Sequence, residues 1–192
     1  MRTRNVFLAT AVLVVGIAAL VGLGRAVTGE SSGSRTPNDR RAHAELRDAA
    51  SLEIGTVQLK QHGDSVEIKV DIEDGVAAGF HGFHIHAAGV CAAPFTTALG
   101  HYNPSTATHM NHAGDLPVLL IDEDGEAEAR FSTDRFELGD LFDADGSAFI
   151  LHANADNYAN IPTDRYDPDP DATTLGTGDA GSRIACGVIE AK

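Results

Sequence analysis

Side chains that can bind metals are concentrated in the middle of this sequence. His84 and His86 lie two residues apart in the stretch GFHGFHIH (79–86), so on an extended strand both would point to the same face of a sheet. Two imidazoles on one face supply half of a metal site. An exposed polar strand that happens to be rich in histidine would give the same local pattern, so the rest of the chain must decide between the two interpretations.

The remaining candidate ligands are His101, His109, His112 and Asp115 in the segment 87–115, and His152 at the end of a later apolar run. Imidazole suits copper and zinc, and three imidazoles with one carboxylate form a tetrahedral set that zinc accepts. Seven ligands exceed what one such metal needs. The number therefore predicts two metals, one held by four histidines and the other by three histidines and the aspartate, with one imidazole shared.

The elements that must position these ligands are short apolar runs with a period of two. Runs at 52–59 and 66–72 flank the turn QHGD (61–64), and runs at 116–121 and 127–131 flank DEDG (122–125), so each pair predicts a β-hairpin. Further strands are predicted at 44–46, 79–86, 148–152 and 184–189. With about eight strands and no helical period, the region is predicted to be an all-β barrel or sandwich.

Two connections between the predicted strands are long, 87–115 and 153–183. Structureless loops of this length in a compact domain are usually functional or disordered. The first contains four of the candidate ligands, which favours function.

The N-terminus has the pattern of an export signal. Arg2 and Arg4 precede an uncharged run at 5–24, which is long for the apolar core of a signal peptide and about the minimum for a membrane-spanning helix. We predict a hydrophobic helix within 1–27 that is a signal peptide or an N-terminal membrane anchor, and we favour the uncleaved anchor over a cleaved signal or a buried core helix. A flexible linker follows at 28–41, and the folded domain occupies 42–192. Either outcome exports the domain, anchored on the outer side of the membrane or secreted.

The folded region is strongly acidic. Positions 42–192 carry 8 basic and 26 acidic residues, a formal charge of −18. Nucleic acid and anionic membrane surfaces are therefore not expected partners, and membrane contact is expected only through an uncleaved N-terminal segment.

The chain has two cysteines, Cys91 and Cys186. Oxidising surroundings outside the cytoplasm favour pairing them. Two buried free thiols are the alternative.

Several motifs make 42–192 resemble the Cu,Zn superoxide dismutases. They occur in the family's order: GFHGFHIH (79–86), GHYNP (100–104), HAGDLP (112–117), LHANAD (151–156) and GDAGSRIACGVI (178–189). The run ADNYANIP (155–162) is most similar to the actinobacterial branch. The resemblance implies an eight-stranded Greek-key β-barrel with two long functional loops. It also implies that the substrate is superoxide, which a redox-cycling copper beside a zinc converts to oxygen and hydrogen peroxide. It leaves monomer and homodimer open.

The resemblance also implies a role for each site residue. The copper ligands would be His84, His86, His101 and His152. The zinc ligands would be His101, His109, His112 and Asp115, so that His101 bridges the metals and delivers a proton. Arg183 would receive the anionic substrate, Asp156 would hydrogen-bond His84 and His109, and Cys91 and Cys186 would form the family's intrasubunit disulfide.

The sequence departs from the family's pattern in the zinc loop, where His109 and His112 are only three residues apart. A copper-only enzyme is therefore an alternative, and a metal store or inactive scaffold on the same fold is another. All four copper ligands and Arg183 are present, which favours the enzyme. The remaining histidines match no ligand position; we predict surface positions for His43 and His62 and a structural role for His81.

Overall fold

The computed structural model describes residues 40–192. Its strands are β1 (Arg41–Asp48), β2 (Glu53–His62), β3 (Ser65–Ile72), β4 (Gly79–His81), β5 (Phe83–His86), β6 (Leu119–Ile121), β7 (Ala127–Thr133), β8 (Ala148–His152), β9 (Arg183–Val188) and β10 (Glu190–Ala191). Short 3₁₀ helices occupy Thr96–Ala98 and Leu138–Phe142, and a six-residue helix α1 occupies Ala172–Thr177. The predicted all-β class is confirmed. Residues 1–39, which include the predicted N-terminal helix and nearly all of the predicted linker, lie outside the described residues.

The strands of the described region form two antiparallel sheets. The larger has the order β5-β8-β9-β1-β2-β3-β7, with β10 also pairing with β1, and the smaller is β4-β6. Because β1, β2 and β3 are joined by hairpins and β9 returns to lie beside β1, the order β9-β1-β2-β3 is a Greek-key arrangement. The long connection before β9 carries the second functional loop back to the sheet that holds β5 and β8.

Alternating side chains on these strands build the core. In β3, Val66, Ile68, Val70 and Ile72 are buried while the residues between them are not. Fully burying such a side chain contributes about 1.5–3 kcal/mol relative to leaving it exposed. Phe83 and Ile85 of β5 also enter this core, so the framework fixes the backbone from which His84 and His86 project.

The first predicted hairpin is confirmed, since β2 pairs with β3 in register from Gly55–Ile72 to His62–Ser65. The second was wrong in its pairing. The turn at 122–125 forms, with the Asp122 amide donating to the Glu126 carbonyl at 2.9 Å. Beyond it β6 pairs with β4 and β7 pairs with β3. Alternation identifies a strand but does not specify its neighbour, and here the two strands separate into different sheets.

The single strand predicted at 79–86 was also wrong, because it is broken at Gly82. The Gly82 amide donates to the Asn154 carbonyl at 2.7 Å, and its carbonyl accepts from the His152 amide at 2.9 Å. A Cβ at this position would lie 2.8 Å from the Ala180 Cβ. The backbone at Gly82 therefore bonds to the loop after β8, with β4 before it in one sheet and β5 after it in the other.

No helix within residues 40–192 is long and apolar enough to cross a membrane.

Candidate metal centre

The base of the candidate site is formed by β5 and β8. His84 pairs in register with Ile150, and His86 with Ala148. Both imidazoles are buried, and so is His152 at the end of β8. Three of the four predicted copper ligands are thus carried by two neighbouring strands of one sheet.

The first long loop brings His101 to these three histidines. One ligand atom from each of four residues lies within 4.8 Å of the others: His84, His86, His101 and His152. One nitrogen of each ring already has a partner. His84 Nε2 lies 2.7 Å from Asp156 Oδ2, His86 Nδ1 lies 2.8 Å from the Leu99 carbonyl, and His152 Nδ1 lies 3.1 Å from the Gly181 carbonyl.

The other nitrogen of each ring is buried and has no hydrogen-bond partner. These atoms are His84 Nδ1, His86 Nε2, His101 Nε2 and His152 Nε2. A buried polar atom without a partner costs about 1–3 kcal/mol. Four of them brought together are the donor set of a metal such as copper, which accepts imidazole nitrogens. The residues therefore fit a copper ion.

A second set lies on the other side of His101. Ligand atoms of four residues again lie within 4.8 Å of one another: His101, His109, His112 and Asp115. Asp115 Oδ1 lies 2.7 Å from His101 Nδ1 and 3.2 Å from His112 Nδ1, and Asp115 Oδ2 lies 3.1 Å from His109 Nδ1. Three imidazoles and one carboxylate fit zinc. The shortened spacing between His109 and His112 still lets both rings reach the set.

His101 belongs to both sets through different atoms. Its Nδ1 lies among the second set, beside Asp115, while its Nε2 is one of the four unpartnered nitrogens of the first. A single imidazole can therefore face both sites.

Asp156 contacts one histidine of each set. Its Oδ2 accepts from His84 Nε2 at 2.7 Å, and its Oδ1 lies 2.9 Å from His109 Nε2. Contacts of this kind fix the ring orientation and tautomer of metal-binding histidines. With Nε2 held by Asp156, each ring presents Nδ1 to its own set.

Burial keeps His84, His86 and His152 of the first set neutral by lowering the pKa of each ring. Burial and, to a smaller extent, neighbouring positive charges that include Arg183 lower the pKa of His86 to about 2 and that of His152 to about 3. Neutral imidazole is the form that binds a metal. At neutral pH these nitrogens are therefore ready to act as ligands.

The carboxylates of the site are ionised despite their burial. Burial raises the pKa of Asp115, but hydrogen bonds from His101 and His109 outweigh it and hold that pKa below its ordinary value. Burial also raises the pKa of Asp156, but hydrogen bonds with His109 and His84 outweigh burial and lower that pKa below its ordinary value. For His109, burial lowers the pKa, but Asp115 and Asp156 together raise it to about 9. The second set thus contains an ionised carboxylate, and His109 must release a proton when it binds a metal.

Arg183 lies at the edge of the four-histidine set. Its guanidinium donates to the carbonyls of Phe95 and Leu99, and the Leu99 carbonyl also lies 2.8 Å from His86 Nδ1. The predicted disulfide is present, joining Cys91 of the first long loop to Cys186 of β9. It attaches the loop that supplies these carbonyls to the strand that carries Arg183.

Comparison with known proteins identifies the family. The family model described as copper/zinc superoxide dismutase matches residues 53–189. The chain belongs to this family. A Cu-Zn superoxide dismutase of Mycolicibacterium paratuberculosis is 36% identical over 165 residues, covering 78% of this chain and 73% of that protein. The resemblance stated from the motifs is confirmed.

A mycobacterial relative is more similar over a shorter stretch. The Cu-Zn superoxide dismutase of Mycobacterium tuberculosis is 46% identical over 127 residues, or 58% of this chain. That stretch is 53% of the relative, so the match spans about half of its length.

Solved structures show the same fold. A SOD-like protein from Bacillus subtilis is 27% identical with a TM-score of 0.62, covering 76% of this chain and 96% of that one. The clock protein EA4 is 29% identical with a TM-score of 0.64, covering 80% and 95%.

Two residues that touch the candidate site were assigned no role from the sequence. Tyr158 accepts from the Val118 amide at 2.8 Å through its hydroxyl, and its own amide donates to Asp156 Oδ1 at 2.6 Å. Arg135 contacts the backbone of the second set. Neither residue is a candidate metal ligand in the sequence, and only the tertiary structure shows that both lie at the site.

The three histidines outside the ligand sets lie as predicted. His62 is exposed and His43 is partly exposed. His81 is buried, with Nδ1 2.7 Å from the His152 carbonyl and Nε2 2.9 Å from the Ala77 carbonyl. It links β4 to the end of β8.

Proposed function

We propose that this protein is an exported superoxide dismutase that uses copper and zinc to convert two superoxide anions and two protons into one oxygen and one hydrogen peroxide. The observation that carries the proposal is the convergence of four buried, unpartnered imidazole nitrogens beside a carboxylate-containing set that shares one of the rings. Membership of the copper/zinc superoxide dismutase family supports the same activity.

The donor chemistry assigns the metals. His84, His86, His101 and His152 offer only nitrogen, which suits copper. His101, His109, His112 and Asp115 include a carboxylate, which suits tetrahedral zinc. His101 would be the shared ligand, because its Nε2 faces the four-histidine set and its Nδ1 lies beside Asp115.

When bound, copper supplies the one-electron couple that oxidises one superoxide to oxygen and reduces a second to hydrogen peroxide. Arg183 supplies a fixed positive charge for the anion, because its guanidinium is held by the Phe95 and Leu99 carbonyls. The charge is local, since positions 42–192 sum to −18 and repel an anion at longer range. Binding of superoxide therefore depends on Arg183 and the metals at short range.

The reduced substrate needs protons, and His101 is placed to deliver one. Its Nδ1 is held at 2.7 Å from Asp115 while Nε2 faces the four-histidine set. A ring held on one side can carry a proton at the other without losing its orientation. His101 Nε2 would therefore carry the proton whenever it is not bound to copper.

We place the enzyme outside the cytoplasm, anchored by residues 1–27 or released from them. The Cys91–Cys186 disulfide supports an oxidising compartment. Its reaction there would protect the cell exterior from superoxide. Mass determination of the mature N-terminus tests the anchor: a chain retaining residues 1–27 is expected, and one beginning after them would show cleavage.

The activity is tested by following superoxide decay in stopped flow with the purified full chain loaded with copper and zinc. We expect catalytic decay with oxygen and hydrogen peroxide formed in equal amounts. The variant His86→Ala removes one ligand of the four-histidine set and should abolish the decay. The matched control His62→Ala removes an exposed histidine and should not change it. Bound copper without superoxide decay in the wild type would instead indicate a copper store.

A further inference from the structure

Arg135 follows the end of β7 and reaches the loop that carries the second ligand set. Its Nη1 lies within hydrogen-bond distance of three backbone carbonyls, 2.9 Å from Met110, 3.1 Å from His112 and 3.3 Å from Asp115. One guanidinium nitrogen is thus surrounded by three acceptors from a six-residue stretch.

Two of the three carbonyls belong to residues that the proposal assigns to zinc, His112 and Asp115, and the third belongs to Met110, which follows His109. The end of this loop is bonded to the sheet, because the Gly114 carbonyl accepts from the Ile85 amide of β5 at 2.9 Å. Closer to its middle the backbone forms local turns, such as the Asn111 amide to the Thr108 carbonyl at 2.8 Å, and a local turn does not fix a loop relative to the sheet. Arg135 adds a contact to the sheet at Met110 and His112, because it extends from a position two residues after β7.

We propose that Arg135 is a positioning residue for zinc, holding the shortened loop 109–115 so that His109, His112 and Asp115 meet His101. The inference rests on the proposed assignment of zinc to this set. A guanidinium is suited to the role because it offers five donors in a rigid fork and remains charged. It compensates for a loop in which only two residues separate His109 from His112.

If Arg135 acted on zinc mainly through its charge, its removal would change zinc affinity in the opposite direction. The charge of Arg135 repels a zinc cation nearby, so if charge were its main effect, removing it would tighten zinc binding. If its hydrogen bonds dominate, removing them frees the loop and weakens zinc binding. The direction of the change in zinc affinity therefore decides between positioning and repulsion.

The experiment compares Arg135→Gln, Arg135→Lys and Arg130→Gln in the full chain. Arg130→Gln is the matched control, because Arg130 lies on β7 itself, is exposed, and pairs with Glu67 at 2.7 Å rather than with the zinc loop. Zinc affinity is measured by competition with a chromophoric chelator, and copper affinity is measured on the zinc-free protein. The visible spectrum of Co²⁺ bound in place of zinc reports the geometry of the set.

We expect Arg135→Gln to raise the zinc dissociation constant roughly ten- to a hundredfold, as for other partners that orient metal ligands. Its Co²⁺ spectrum should change, while copper affinity stays at the wild-type value. Arg135→Lys keeps the positive charge but not the forked guanidinium, so its zinc affinity should lie between that of the wild type and that of Arg135→Gln. Arg130→Gln should match the wild type.

Unchanged or tighter zinc binding in Arg135→Gln overturns the positioning role, and so does an equal loss in Arg130→Gln. Arg135 is exposed, so the variant should fold; a failure to fold that is absent from Arg130→Gln would give Arg135 a general structural role and overturn the proposal. Failure of the proposed metal assignment is recognised separately, because the wild type itself would then bind no zinc.

Discussion

Replacing Asp156 with alanine tests how the two ligand sets depend on one carboxylate. The substitution removes the acceptors of His84 Nε2 and His109 Nε2, at 2.7 and 2.9 Å, and that of the Tyr158 amide at 2.6 Å. Both rings are fully buried, so water cannot readily replace the carboxylate. Each ring loses the contact that fixes which nitrogen faces its metal.

The two sets should respond unequally. His84 is carried by β5, whose pairing with β8 holds its backbone, whereas His109 lies in a loop. We therefore expect the zinc dissociation constant to rise roughly ten- to a hundredfold, which corresponds to about 1.4–2.8 kcal/mol. The copper dissociation constant should rise by less.

The assay is chelator competition for each metal on the full chain, with Asp164→Ala as the matched control, since Asp164 is an exposed aspartate of the same loop. Asp156→Asn keeps one acceptor and should lose less zinc affinity than the alanine variant. An NMR titration of the metal-free protein gives a second readout, because the pKa of His109, now raised to about 9, should fall without Asp156. Unchanged zinc affinity, or a larger loss for copper, would refute this reasoning.

Three further predictions follow from glycine packing, pH and charge. A Cβ at Gly178, where φ is +60°, would clash with Asp156 Oδ1, so Gly178→Ala should weaken zinc binding, while Gly176→Ala, with open space around it, should not. In the unfolded chain His86 and His152 take up protons below about pH 6.5, but in the folded protein their lowered pKa values keep both rings neutral down to a much lower pH. The Tm of the metal-free protein should therefore fall as the pH drops from 7 to 4. A rising Tm would contradict the burial argument. Because the domain repels anions, the dismutation rate should not fall steeply with added salt, and a steep fall in stopped flow would show long-range attraction.

The sequence was sufficient to find the residues of both candidate sets, because all of them except His109 lie in short motifs whose residue types are specific. His84 and His86 point to the same face because residues two apart on a strand do so, and the number of ligands implies a shared imidazole. The disulfide between Cys91 and Cys186 was likewise predictable, since the chain has two cysteines and its N-terminus has the pattern of an export signal. These inferences depend on local spacing or on counting.

What the sequence did not predict depends on contacts between distant segments. Gly82 ends one strand and begins another because its backbone bonds to Asn154, about seventy residues away. Helix α1 has an Asp171 N-cap and a Gly178 C-cap, but six residues are too few for a helical period to be recognised. Arg135 reaches carbonyls twenty or more residues away in sequence, and no local pattern distinguishes it from the exposed Arg130.

Metal content decides whether the two ligand sets hold two different metals that share His101. The measurement is elemental analysis by mass spectrometry of the purified full chain, metal-loaded and dialysed, together with its superoxide decay rate before and after chelation. We expect one copper and one zinc per chain, with dismutation lost when copper is removed and recovered when it returns. Copper without zinc, or neither metal, would contradict it.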